Sequence, residues 1–181
     1  MDKQHEQHAQ HEQHESHGSS KKAYIRFGAM VGTATVIMYG LMYLNTYRWD
    51  HVFFSETRLY MALIMGATMA VVMLTFMLKM HPSRRVNGGI YIGSLLLFGV
   101  ALWLVRSQET VGDVSYMRAM IPHHSIAILT SERAQISDPR VRELADQIIQ
   151  TQREEIAEMK KLIASIEAEG VKRKQAGARE R

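Results

Sequence analysis

The stretch DVSYMRAMIPHHSIAILTSERAQISDPRVRELADQIIQTQREEIAEMKKLIASI, residues 113–166, decides the fold outside the membrane. Met117, Met120, Ile121, His124, Ala127, Ile128 and Ser131 fall on one helical face, and His123 sits at its edge beside Met120. Gly112 ends a polar link, and Asp113 is expected to cap the new helix. Pro122 lies inside this helix, removes the hydrogen bond to the Arg118 carbonyl and is expected to kink it. Ser137-Asp138-Pro139 reads as a turn with Asp138 as N-cap and Pro139 in the first helical position. A second helix follows, with Val141, Leu144, Ala145, Ile148, Gln152, Glu155, Ile156, Met159, Leu162, Ile163 and Ile166 at near-heptad spacing up to Gly170. The outcome is an antiparallel helical hairpin, half of a bundle. Two helices cannot bury a sufficient core alone, so a homo-oligomer is expected, most simply a dimer closing a four-helix bundle.

Working toward the N-terminus, three uncharged stretches, Phe27 to Tyr47, Leu59 to Leu78 and Val86 to Val105, predict transmembrane helices. Each has about twenty residues, enough at about 1.5 Å rise to cross a hydrocarbon core of about 30 Å. The mean hydropathy of −0.16 conceals them because both ends of the chain are strongly polar. The first twenty or so residues are polar and histidine-rich, so no signal peptide is expected and the first helix is expected to act as the targeting segment. Lys21, Lys22 and Arg26 flank the first helix, and Lys79, Arg84 and Arg85 fill the second loop. The positive-inside bias therefore predicts a cytoplasmic N-terminus and an outward hairpin, and the expected setting is a bacterial inner (plasma) membrane with a periplasmic or extracellular domain. The net charge of +4 sits in membrane flanks and in the tail Lys172 to Arg181, which favours a lipid-facing role and no nucleic acid.

The expected organisation is all-α: a disordered His-rich tail over 1–22, a three-helix membrane domain over 23–106, the hairpin over 112–170 and a disordered basic tail over 171–181. In the N-terminal tail, His5, His8, His11, His14 and His17 recur every third residue and form a possible secondary metal tail. In the second membrane helix Met61, Met65, Met69, Met73 and Met77 repeat every four residues beside Ala62, Gly66 and Ala70. Gly28 with Gly32 and Gly89 with Gly93 repeat the small-residue spacing in the other two spans. Methionine packs adaptably, so this ladder reads as helix packing rather than a conduction path.

There is no cysteine, which removes disulfides, thiolate zinc sites and cysteine nucleophiles together. Any soft ligand must then be methionine, which survives an oxidising compartment. Folding the hairpin at Ile136 places Met120 near Gln152 and Met117 near Glu155, with Met159 a turn beyond. Thioether sulfur and imidazole suit Cu(I) or Ag(I), with Met117, Met120, His123, His124 and Met159 as ligand candidates. Asp113, Gln152 and Glu155 are outer partners able to orient an imidazole. Cu(II) would instead favour His123, His124 and carboxylate or water. The plainer reading makes these residues core and interface packing.

The strings Met120-Ile-Pro-His-His124, Asp138-Pro139, Val141-Arg142, Leu144-Ala145, Gln152, Glu155-Ile156 and Met159, together with Asp113, resemble the domain of unknown function 305 family. That resemblance implies a ferritin-like helical fold, and copper or silver bound through methionine and histidine in some members linked to copper tolerance. Carried over, it implies the same five ligand candidates. Thr130 replaces a methionine common in relatives, and no tryptophan follows Met159.

The expected function is a membrane-anchored Cu(I) or Ag(I) buffer or chaperone, not an enzyme, with membrane lipid and other copper-handling proteins as partners. No Glu-x-x-His pair supports a di-iron oxidase, and no His-Glu-x-x-His supports a zinc hydrolase. The alternative is a non-catalytic helical interaction or oligomerisation module at the membrane with no metal role.

Overall fold

The computed structural model describes the backbone of residues 2–179 and the side chains of residues 21–176. Among the described residues there are five α-helices and no strand: α1 Asp2–Leu41, α2 Glu56–Phe76, α3 Arg84–Ser107, α4 Asp113–Arg133 and α5 Pro139–Arg179. Short 3₁₀ turns occupy Trp49–His51 and Leu78–Met80. Lys21–Leu41, Glu56–Phe76 and Arg84–Ser107 are long and apolar enough to cross a membrane. The first ends at Leu41, six residues short of the expected Tyr47. Turn hydrogen bonds from Tyr43 N–H to the Gly40 carbonyl and from Leu44 N–H to the Leu41 carbonyl close it there.

Both expected tails are taken up by helical elements. α1 starts at Asp2, within the segment expected as a disordered tail, although the side chains of His5, His8, His11, His14 and His17 lie outside the described residues. α5 passes through Gly170 to Arg179, beyond its expected end. Gly170 carries no positive φ that would cap a helix, so it continues as an ordinary helical residue.

The chain divides into two units, Met1–Tyr39 with Tyr60–Ser107, and Gly40–Leu59 with Gln108–Arg181. In the first unit the small row of α2, not its methionines, is buried: Ala62, Gly66, Ala67 and Ala70 are inside while Met61 is exposed. At Gly66 a Cβ would overlap the Thr35 side chain of α1, so only glycine permits this approach. Gly28, Gly32, Gly89 and Gly93 have nothing within 4 Å of a Cβ position, so their small-residue spacing is not used for close packing here. The Tyr24 hydroxyl donates to Asn87 Oδ1 at 2.8 Å, and Asn87 Nδ2 donates to the His81 carbonyl at 2.8 Å, tying α1 to the loop before α3.

The second unit is built on α4 and α5. Met117, Ile121 and Ile128 of α4 bury against Ile156, Met159 and Ile163 of α5, as the two stripes predict. Gly112, with extended backbone, is the N-cap of α4, and Asp113 is instead the first helical residue. Asp138 caps α5 as expected, its Oδ1 accepting the Arg140 N–H at 2.9 Å. α4 is one unbroken element across Pro122.

The loop between α1 and α2 belongs to this unit, which the sequence did not foretell. Tyr47 and Phe53 pack on the hairpin core. The fully buried Ser125 hydroxyl accepts the Tyr47 N–H at 2.7 Å and meets His51 Nδ1 at 2.9 Å. Lys160 of α5 donates to Asp50 at 2.8 Å, and Lys160 with Arg48 holds the Asp50 carboxyl well below the usual range. Part of the cover expected from a second hairpin thus comes from the chain's own loop. Ser125→Ala should cost about 1–3 kcal/mol, because it leaves a half-buried N–H and a buried imidazole nitrogen unpaired. A urea midpoint unchanged from the parent chain would contradict this.

Candidate metal centre

A cleft of about 470 Å³ opens between α4 and α5, lined by Asp113, Met117, Met120, His124, Glu155 and Met159 among others. Every thioether candidate therefore borders one space. On α4 these positions follow the three- and four-residue steps of a single stripe; on α5, Glu155 and Met159 stand one turn apart. Met117 and Met159 are also core residues, so their chains are fixed by packing rather than free at the surface.

His124 is the polar centre of the cleft. Its Nδ1 lies 3.0 Å from Glu155 Oε2, yet off the line a ring N–H would need, and the atom is buried without a hydrogen-bond partner. Gln152 Nε2 donates to the same Glu155 oxygen at 3.1 Å, so Gln152 orients the carboxylate that faces the imidazole. Burial pushes His124 below its ordinary value of 6.5, the Glu155 charge opposes that shift and His123 adds to it. The neutral ring this favours is the form that binds metal.

The hairpin register differs from the one predicted. His124 meets Glu155, two helical turns further along α5 than a fold centred on Ile136 would bring it. Arg118 with Glu167 at 2.6 Å and Arg153 with Glu132 are displaced in the same direction and further. The chain leaves α4 through a bend at Ala134, where the Ile136 N–H donates to the Ala134 carbonyl at 3.0 Å.

His123 does not join the cleft. It is exposed and lines a separate hollow of about 250 Å³ with Ser55, Thr57, Arg58 and Met120. Its ring centroid is 6.3 Å from that of His124. Successive helical residues point about 100° apart, and here that separation puts His124 in the cleft and His123 in the other hollow. The Arg58 guanidinium in that hollow, stacked over Tyr43, further disfavours a cation there. Among the described residues no three histidine, aspartate or glutamate side chains gather as a metal site. A Cu(II) site built on both histidines therefore lacks its geometry, and any site in the cleft leans on sulfur.

Tyr116, Glu158, Leu162 and Ile166 also line the cleft and were not singled out from the sequence as site residues. Tyr116 was legible as a member of the stripe 113, 116, 117, 120, 124, whereas the loop residues carried no periodic signal. Asp50, His51 and Ser125 stand in an order suggestive of a hydrolase triad, with His51 Nε2 4.0 Å from Asp50. Ser125 is 0% exposed and already accepts a backbone N–H, so no substrate reaches it; the trio fastens the loop.

Burial also pushes His51 below 6.5, reinforced by Lys160 and opposed by Asp50. Two histidines with depressed folded values make the folded chain bind fewer protons than the unfolded one. Their contribution to stability is complete above about pH 6.5 and is lost as pH falls through the folded values. The urea midpoint of this unit should therefore drop between about pH 7 and 5, and a His51→Gln, His124→Gln double variant should flatten that slope.

The family model described as Domain of unknown function (DUF305) matches residues 113–180. An uncharacterized protein of Acanthamoeba polyphaga mimivirus is 33% identical over 106 residues, covering 58% of this chain and 68% of that protein. No solved structure matches the chain.

Proposed function

This chain belongs to the DUF305 family, and we propose that its hairpin unit binds Cu(I) or Ag(I) as a membrane-anchored buffer or chaperone in copper handling or tolerance. The observation that carries this reading is the cleft shared by Met117, Met120, Met159 and His124, whose imidazole Nδ1 faces Glu155 at 3.0 Å. Three thioethers and a neutral imidazole match a soft monovalent ion, and Gln152 and Glu155 supply the outer partners that fix the ring. The ion is cargo here, held and passed on. Basic flanks favour a bacterial inner membrane with the N-terminus cytoplasmic and the hairpin unit outside, where an oxidising milieu spares methionine and penalises cysteine.

Titrating the full chain in detergent with Cu(I) under reducing conditions, against a chelator of known affinity, tests the reading. Competition that survives removal of the first twenty residues assigns binding to the hairpin unit; competition lost with them assigns it to the His-rich tail and ends the proposal for the cleft.

An interaction module is the second reading, favoured by the exposed Val141, Leu144, Leu162 and Ile166 along α5. It expects His124→Leu to leave assembly intact and Ile148→Asp to abolish it.

A further inference from the structure

Beside its buried stripe, α5 carries a second apolar row that the described residues leave partly uncovered: Leu144 is 56% exposed, Ile148 36%, Leu162 46% and Ile166 39%. These four positions are symmetric about Glu155, which lies on the same face, two on each side at equal separations in sequence. A surface that reads the same in both directions is what a two-fold interface requires, because each residue must meet its counterpart's mate.

We propose that a second copy of this chain packs antiparallel along α5, with the two-fold axis beside Glu155. Leu144 of one copy then meets Ile166 of the other, and Ile148 meets Leu162, about 16 and 10 Å from the axis at helical rise. The end charges agree with this alignment. Arg140 and Asp138, ion-paired at 2.8 Å and exposed, come opposite Glu169 and Arg173 of the second copy, so each cation faces an anion. A parallel pairing would instead set Arg140 against Arg140 and Glu169 against Glu169. Leu162 and Ile166 form one wall of the cleft between α4 and α5, so the second copy's Ile148 and Leu144 would enter it and close that end.

The pairing needs only the apolar row and the end charges and stands apart from the metal reading. It has one consequence for that reading: the two His124–Glu155 pairs meet across the axis, so the two clefts become neighbours.

The absence of cysteine makes the test clean. In membranes of cells producing the full chain, Glu155→Cys treated with the thiol oxidant diamide is expected to run mostly as a covalent dimer, since a disulfide needs Cα atoms within about 7 Å. Ile148→Cys alone and Leu162→Cys alone should stay monomeric, but the two co-expressed should cross-link. Glu143→Cys, on another face of α5, is the monomeric control. Self-linking of Ile148→Cys would establish a parallel pairing and overturn the proposal, as would monomers throughout. The mixed Ile148→Cys and Leu162→Cys pair keeps the test valid if replacing Glu155 disturbs the cleft, and chelator present throughout separates this outcome from metal binding.

Discussion

Replacing Met120 and His124 together by alanine is expected to lower the Cu(I) affinity of the hairpin unit at least about 100-fold, because losing an outer partner alone costs about 10–100-fold. The residues are placed for it: both border the cleft, and Glu155 faces the His124 ring at 3.0 Å on its Nδ1 side. Met117→Leu and Met159→Leu are the sharper companions, since leucine keeps the apolar volume in the core and deletes only the sulfur. Each should weaken binding while leaving the far-ultraviolet circular dichroism and urea midpoint close to the parent. His123→Ala should leave affinity nearly unchanged, because that ring faces the other hollow. An unchanged chelator competition for the double variant would remove the cleft from consideration.

Ile121→Asp is expected to unfold the hairpin unit. Ile121 is 0% exposed and packs within the core cluster of α4, α5 and the loop residues Tyr47 and Phe53. An unpaired carboxylate there either stays charged at great cost or takes up a proton and is still left without partners. The lost packing adds about 2–5 kcal/mol, against a total stability of about 5–15 kcal/mol for a typical domain. Thr130→Asp, exposed near the end of the same helix, should change stability by less than about 0.5 kcal/mol. Limited proteolysis in membranes reads both: rapid cleavage in α4 and α5 for the first, the parent pattern for the second. Resistance equal to the parent in Ile121→Asp would mean that this core is not the one that holds the unit together.

Much of this architecture is legible without coordinates. The three apolar stretches became the three span-length helices because uncharged runs of that length have few other uses. Met117, Ile121, Ile128, Ile156, Met159 and Ile163 were placed on inward faces by period alone, and Asp138-Pro139 marked the start of α5 by capping chemistry. The candidate site was half visible: the stripe on α4 gave Met117, Met120 and His124 together. Misread were the separation of His123 from His124, the register of the hairpin and the role of the residues after Leu41. Which of the two rings enters the cleft depends on where α5 and the loop lie around α4. The other two depend on an irregular link between α4 and α5 and on an aperiodic loop, for which no local pattern exists.

The sequence by itself determined which segments are helices, which faces are apolar and that sulfur and imidazole would carry any metal chemistry, because each follows from residue type at fixed spacing along one element. Only the tertiary structure decided that His124 opposes Glu155, that Ser125 and Lys160 bind the loop through Tyr47, His51 and Asp50, and that His123 stands apart in another hollow. Those relations join residues far apart in the chain, and their geometry is fixed by how side chains interlock in the core, a property of the packed whole that no window of sequence contains.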